Sequence, residues 1–229
     1  MRLDKFVCKS TELTKIEAIQ RISTGKICVN GDVVTNEATQ VHENNTILLN
    51  GIKLKARDFR YILMHKPEGT ICSNIDEVYP SLFNRLNVDN ISELHIAGRL
   101  DVDSTGMVLI TDDGRWSFNI TTPMKECSKV YRVGLSRPVS DDVEAKFRDG
   151  IQLQGEPQLT RPAALEVIGP KEVLLTITEG KFHQVKRMFS AVGNRVVSLH
   201  REAIGTVYLD IDVGQWRYLT DIEVQSFTK

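Results

Sequence analysis

Asp101 lies in the stretch Gly98-Arg99-Leu100-Asp101-Val102-Asp103-Ser104-Thr105-Gly106. The stretch reads as a loop entering an apolar strand over 107–110, followed by an Asp-Gly turn at 113–114. A carboxylate at a loop-to-strand junction can serve as nucleophile, base or metal ligand. Glycines on both sides of it would let backbone approach a ligand closely. Read alone, an Asp near a Gly equally suits a hydrogen bond to its own turn. Two further places carry reactive side chains. Lys129-Val130-Tyr131-Arg132-Val133 alternates as a strand with Tyr131, Val133 and Leu135 on one face, where a tyrosine suits a core as well as a site. Val185, Phe189 and Val192 recur at helical spacing before Gly193, leaving Lys186 to one side. Lys186 and Arg187 there suit a solvated helix face as readily as a ligand.

The elements that must hold these groups fall into two domains, 1–60 and 61–229. In the first, Thr14-Lys15-Ile16-Glu17 is a capping box opening a helix with Ile16, Ile19 and Ile22 on its buried face and Gly25 as its stop. Asn30-Gly31, set between apolar runs, predicts a hairpin, and a second Asn-Gly follows at 50–51 after an apolar run over 46–49. Lys53, Lys55, Arg57 and Arg60 fall in a polar segment expected to be the linker. The second domain opens with a buried strand over 61–64 and a turn, Lys66-Pro67-Glu68-Gly69. A short helix over 116–120 ends at Thr-Thr-Pro. A helix over 140–148 has Ser140 as N-cap, acids at 141, 142 and 144, and Gly150 as its stop. Strands are predicted over 163–168 and 173–178.

Net charge is −1, yet the charges are segregated. Residues 1–30 carry six Lys or Arg against three acids, and 181–201 carry five with two His and no acid, a distribution that suits a polyanion. The four cysteines form no Cys-x-x-Cys pair and are expected as reduced thiols. With no apolar run of spanning length, neither secretion nor a membrane is expected, and the cytoplasm is the expected location. The five histidines are dispersed, so no metal site is expected. Phosphate-loop, nucleophile-elbow and His-Glu-x-x-His motifs are missing.

The string from Gly98 to Gly114 resembles the Gly-Arg-Leu-Asp-x-x-Thr-x-Gly-Leu-Leu-Leu-x-Thr-x-Asp-Gly signature of the bacterial ribosomal pseudouridine synthases, nearest the RsuA type that acts on small-subunit (16S) rRNA. Ser104 and Met107 are conservative departures from Thr and Leu. Lys66-Pro-x-Gly69, Lys129-x-Tyr131-x-Val133, Gly180-x-x-His-Gln-Val-Lys-Arg-Met188 and the segment 197–205 resemble the family's other motifs in order. Residues 1–31 resemble the S4 RNA-binding domain. The resemblance implies an α+β chain: a small S4-like domain, then a mixed or antiparallel-sheet catalytic domain. It implies a uridine isomerised to pseudouridine without cofactor. Asp101 would be the nucleophile, Lys186 its partner and Tyr131 the active-site tyrosine. Leu199 would pack beside the base, with Arg99, Gln184, Arg187 and Arg201 on the substrate. Arg2, Lys5, Lys15, Arg21 and Lys26 would bind RNA from the first domain. The expected partner is ribosomal RNA or a small-subunit assembly intermediate, met by a monomer. The competing readings are a synthase acting on large-subunit (23S) rRNA, a non-catalytic S4-type binder, and a glycoside hydrolase using Asp103 as second carboxylate.

Overall fold

The structure, a computed structural model, describes residues 1–42 and 44–228. It divides into two compact units, Met1–Asp58 and Phe59–Lys229. In the first, helices α1 (Leu3–Ser10) and α2 (Lys15–Ser23) precede strands β1 (Ile27–Val29), β2 (Asp32–Val33), β3 (Ile47–Leu49) and β4 (Ile52–Lys53). The strands form one antiparallel sheet of order β2-β1-β3-β4. Asn30 and Gly31, and again Asn50 and Gly51, take positive φ, the conformation a two-residue hairpin turn needs to match strand twist. Thr14 and Glu17 form the predicted reciprocal cap.

The buried face of α2 differs from the expectation. Ala18 and Ile22 enter the core with Leu3, Phe6, Val7, Ile27, Val41 and Ile47, whereas Ile16 is exposed. Ala18 and Ile22 are four residues apart and share a face; Ile16 sits about 200° round from Ala18. Lys5, Lys15, Arg21 and Lys26 are exposed. Arg2 is instead forked onto the buried Asp4 carboxylate at 3.1 and 2.9 Å. The expected linker is largely structured: Lys53 belongs to β4, and Leu54 and Ala56 pack on the first core. Arg60 belongs to the second unit, held by both oxygens of Asp112 and by the carbonyls of Asp89 and Asn90.

The second unit contains β5 (Tyr61–Lys66), β6 (His95–Ile96), β7 (Thr105–Thr111), α3 (Gly114–Thr121), β8 (Lys129–Leu135), α4 (Val143–Asp149), β9 (Ala164–Gly169), β10 (Glu172–Ile177), α5 (Gln184–Ala191), β11 (Val196–Ile204), β12 (Val207–Tyr208), β13 (Trp216–Tyr218) and α6 (Asp221–Ser226). One mixed sheet runs β13-β5-β7-β11-β8-β10-β9, with β6 also on β7 and β12 on β11. The β7–β11 pair is parallel, and the other strand pairs are antiparallel. Successive residues of a strand point to opposite faces, and both faces of β5 and β7 are covered. Ile62, Met64, Val108 and Ile110 join the core under α4 and α5, while Leu63, Met107 and Leu109 join Trp116, Ile120 and Phe227 on the other side. Double burial is why these strands read as unbroken apolar runs.

Two helix starts move. Asp113 and Gly114 start a helix where an Asp-Gly turn was expected; Asp113 Oδ1 accepts from the Arg115 and Trp116 amides and caps α3. The helix α4 begins at Val143 rather than Ser140, with Asp142 paired to Lys146 one turn on.

Candidate active site

The Asp101 loop is built between β6 and β7, at the end of β7 where that strand meets β11. It is fixed from below by a residue that reads from sequence as part of an ordinary turn. Lys66, the last residue of β5, is completely buried, and its Nζ donates to the carbonyls of Pro67 (3.1 Å), Val102 (3.3 Å) and Ser104 (2.7 Å). Gly69 of the same turn donates its amide to Val102 O at 2.9 Å. The Lys-Pro-x-Gly segment therefore grips both sides of Asp103. Burial pushes the Lys66 ammonium below its ordinary pKa.

Arg201 fixes the loop from the other side. Its guanidinium is 1% exposed and donates to Met107 O (2.7 Å), Gly98 O (2.7 Å) and the Tyr131 hydroxyl (3.3 Å). Of the two bracketing glycines, Gly106 answers to the backbone of this residue and Gly98 to its own positive φ. At Gly106, with φ +107°, a Cβ would lie 2.3 Å from the Arg201 carbonyl oxygen, so the glycine permits the close β7–β11 approach. At Gly98, with φ +96°, the nearest atom to a Cβ would be Arg201 Nη1 at 3.9 Å.

Above this frame, Lys186 on the first turn of α5 reaches Asp101. Its Nζ donates to Asp101 Oδ2 at 2.9 Å and to Asp103 Oδ1 at 2.6 Å. His183 Nε2 lies 3.3 Å from the other Asp101 oxygen. Burial lowers the Lys186 pKa, but its hydrogen bonds to both carboxylates outweigh that and the net shift is upward. The Lys186 hydrogen bond in turn holds Asp103 below its ordinary value. Two carboxylates sharing one ammonium stand side by side. They do not face one another across a bond, as a hydrolase pair must.

Asp101, Lys186 and His183 stand at a cavity of about 420 Å³, which also takes in Tyr131, Leu199, Arg99, Lys129 and Arg201. Tyr131, on the inward face of β8, is 7% exposed. Lys129 enters the same face two residues earlier; its Nζ donates to Cys127 O at 3.0 Å, and burial lowers its pKa. Ser104, whose amide donates to Asp101 O at 3.1 Å, turns a buried hydroxyl to the cavity wall without a hydrogen-bond partner. Lys129 and Arg201 are thus two buried cations at the cavity, held by carbonyls and a phenol, and they put positive charge on its floor.

Among the residues expected on the substrate, Arg99 is exposed at the cavity and Leu199 lines it. Gln184 touches the cavity but spends its amide internally, donating to Glu179 at 2.7 Å and accepting from the Lys181 amide at 2.8 Å. Arg187 does not reach it. Its guanidinium is held by Gln154 O (2.6 Å), Phe182 O (2.9 Å) and Glu156 (3.1 Å), one helical step round from Lys186. Arg201 lines the cavity, though its nitrogens serve the fold. Lys66, Lys129 and His183 were missed as site residues. For all three the available signal was their place inside three of the motifs.

Comparison with known proteins gives the family. The RNA pseudouridylate synthase family profile matches residues 60–191, and the S4 domain profile matches residues 1–47. The chain is similar to the ribosomal small subunit pseudouridine synthase A of Vibrio cholerae, 48% identical over 100% of both chains. To the protein of that description from Escherichia coli it is 45% identical over 99% of both. A crystal structure of a pseudouridylate synthase superposes with a TM-score of 0.73 at 41% identity, covering 100% of each chain. With an S4 domain ahead of a mixed-sheet unit that carries every motif in order, the chain belongs to the RNA pseudouridylate synthase family.

Proposed function

We propose that this synthase converts a uridine of small-subunit ribosomal RNA to pseudouridine, with Asp101 as its nucleophile. The RNA class is supported by the relatives, which carry that description along their whole length. The observation that carries the mechanism is the clamped carboxylate. Asp101 is pinned by Lys186 and His183 at a cavity whose volume suits one nucleoside, with Tyr131 and Leu199 on its wall.

Asp101 attacks C1′ as the N1–C1′ bond breaks, and the bonding pair leaves on the uracil. The electropositive floor made by Lys129 and Arg201 favours that anion, being fixed before charge develops. The uracil turns against Tyr131 and Leu199, and its C5 attacks C1′, releasing the Asp101 carboxylate. C5 then loses its proton and N1 takes one up. The Tyr131 hydroxyl, which accepts from Arg201 Nη1, relays that proton: its oxygen takes the C5 proton as its own hydroxyl proton passes to water. Extruding the uridine costs a few kcal/mol, and phosphate contacts offset it. The exposed Lys5, Lys15, Arg21 and Lys26 of the first unit suit those contacts. All the reacting groups come from one unit of one chain, which supports action as a monomer. A ribosomal RNA substrate, free or in an assembling subunit, supports a cytoplasmic location away from membranes.

Release of tritium from C5 of uridine in small-subunit RNA tests the reading. The wild type should release it and Asp101→Asn, nearly isosteric, should fold but release almost none. An Asp101→Asn protein within tenfold of wild type would sink the nucleophile assignment. Release from large-subunit RNA alone would sink the substrate.

A further inference from the structure

Phe182 is 71% exposed beside the reacting carboxylate. A single apolar side chain on a surface needs no explanation, but this one is held out by a chain of constraints. Its ring lies nearly parallel on His183, with centroids 3.8 Å apart and planes 23° from one another. His183 has φ +48°, the left-handed region that a residue with a Cβ adopts at a cost. Its Nε2 is 3.3 Å from Asp101. The Phe182 carbonyl is pinned at 2.9 Å by Arg187, whose guanidinium is itself anchored on Gln154 and Glu156. Strained backbone and a satisfied arginine thus fix a ring with one face on His183 and the other open to solvent.

The order Asp101, His183, Phe182 sets what can occupy that open face. A flat group stacked there lies one ring further from the carboxylate than His183, so it is not the reacting uracil. Tyr131 and Leu199 on the cavity wall serve that base. A uridine drawn out of its stack leaves its neighbours in the strand each with an uncovered face. Exposed Arg99 at the same cavity supplies a cation suited to the strand's phosphates. We propose that the open face of Phe182 is a stacking subsite for the base adjacent to the target uridine, so that Phe182 replaces the neighbour that base loses. The subsite rests on the function proposed above. It selects for a base of any identity, since every base presents a π-face.

The test is single-turnover pseudouridine formation by the full chain on an RNA whose modified uridine has been mapped, followed against enzyme concentration. Phe182→Leu keeps the apolar bulk and removes the ring; Phe182→Tyr keeps the ring. Removing one aromatic–base stack should raise the half-saturating concentration about fivefold to hundredfold in Phe182→Leu, with the saturating rate nearly unchanged and Phe182→Tyr close to wild type. RNAs with an abasic residue on either side of the uridine complete the cycle. On the RNA lacking the stacked base, Phe182→Leu should add no further loss. Equal losses from Phe182→Leu on natural and both abasic RNAs, or no loss on any, overturn the subsite while leaving the proposed function standing. A wild type that binds this RNA and makes no pseudouridine overturns both.

Discussion

Lys66→Met separates the two things a buried lysine can do, support the fold or place the Asp101 carboxylate. In the fold its contribution is close to self-cancelling. The variant removes the donor 2.7 Å from Ser104 O, and a buried acceptor losing its donor costs about 1–3 kcal/mol. Pro67 O and Val102 O keep other donors, Thr70 Oγ1 at 3.0 Å and the Gly69 amide at 2.9 Å. Against that, the variant no longer has to dehydrate an ammonium with no carboxylate partner, a penalty of several kcal/mol. The thermal midpoint should therefore stay near wild type or rise. Turnover should not survive so well, because residues 102–104, which follow Asp101, lose their clamp. A displacement of the order of 1 Å costs about 100-fold in rate, or about 2.7 kcal/mol of activation free energy. Affinity for RNA should hold, since a side chain that is 0% exposed touches no phosphate. The assay is single-turnover tritium release at saturating RNA, run beside thermal unfolding and RNA binding. A folded Lys66→Met protein within threefold of the wild-type rate would show that the clamp does not place Asp101. A large fall in midpoint would show that the offset of dehydration is wrongly reckoned.

Lys186→Met should cut the saturating rate at least tenfold, about the worth of one hydrogen bond between charged groups, whereas Arg187→Met should leave it within about threefold and weaken RNA binding through Phe182. Equal losses of rate in the two would count against the Lys186–Asp101 pairing as a functional contact. Gly106→Ala should destabilise the second unit by about 3 kcal/mol or more, because the new Cβ meets backbone that cannot move aside and the φ is one alanine resists; urea unfolding near wild type would show that β7 and β11 can part. Glu223, hydrogen-bonded by Arg217 and by Thr220, is held down at about 2 from an ordinary value of 4.5. Its stabilising contribution is complete above pH 4.5 and lost as pH falls toward 2. Glu223→Gln should flatten the acid limb of stability over that interval, and an unchanged limb would remove Glu223 from it.

What the sequence disclosed was whatever is decided locally. Asn30-Gly31 and Asn50-Gly51 need only their own backbone to form a turn, and Thr14 with Glu17 need only one another. The helix carrying Lys186 announces itself through Val185 and Phe189. The misreadings share a cause. Asp113 could as well bond the amides of a turn as those of a helix start, since the same side-chain acceptor serves both. Ile16 belonged to an apolar period that Ala18 and Ile22 satisfy better. Lys66, Arg187 and Arg201 are one residue type by charge, and only the fold distinguishes a cation gripping carbonyls from one left for phosphate. Gly106 was legible as unusual, but the arginine whose backbone it accommodates lies about a hundred residues further along the chain.

The sheet of the second unit opens with β5, whose two neighbours are β7 and β13, so the unit's first strand lies against its last. Beyond β13, Phe227 packs edge-on against Trp116, and Asn119 donates to its carbonyl. A chain emerging from the ribosome therefore cannot complete this sheet until its final strand has been released. Closing so long a loop is also the slow kind of folding step. The first unit closes within its own 58 residues and has no such wait. Translation should thus yield a finished RNA-binding module well before a working active site, and truncation at the C-terminus should cost the catalytic unit its closure while sparing the module.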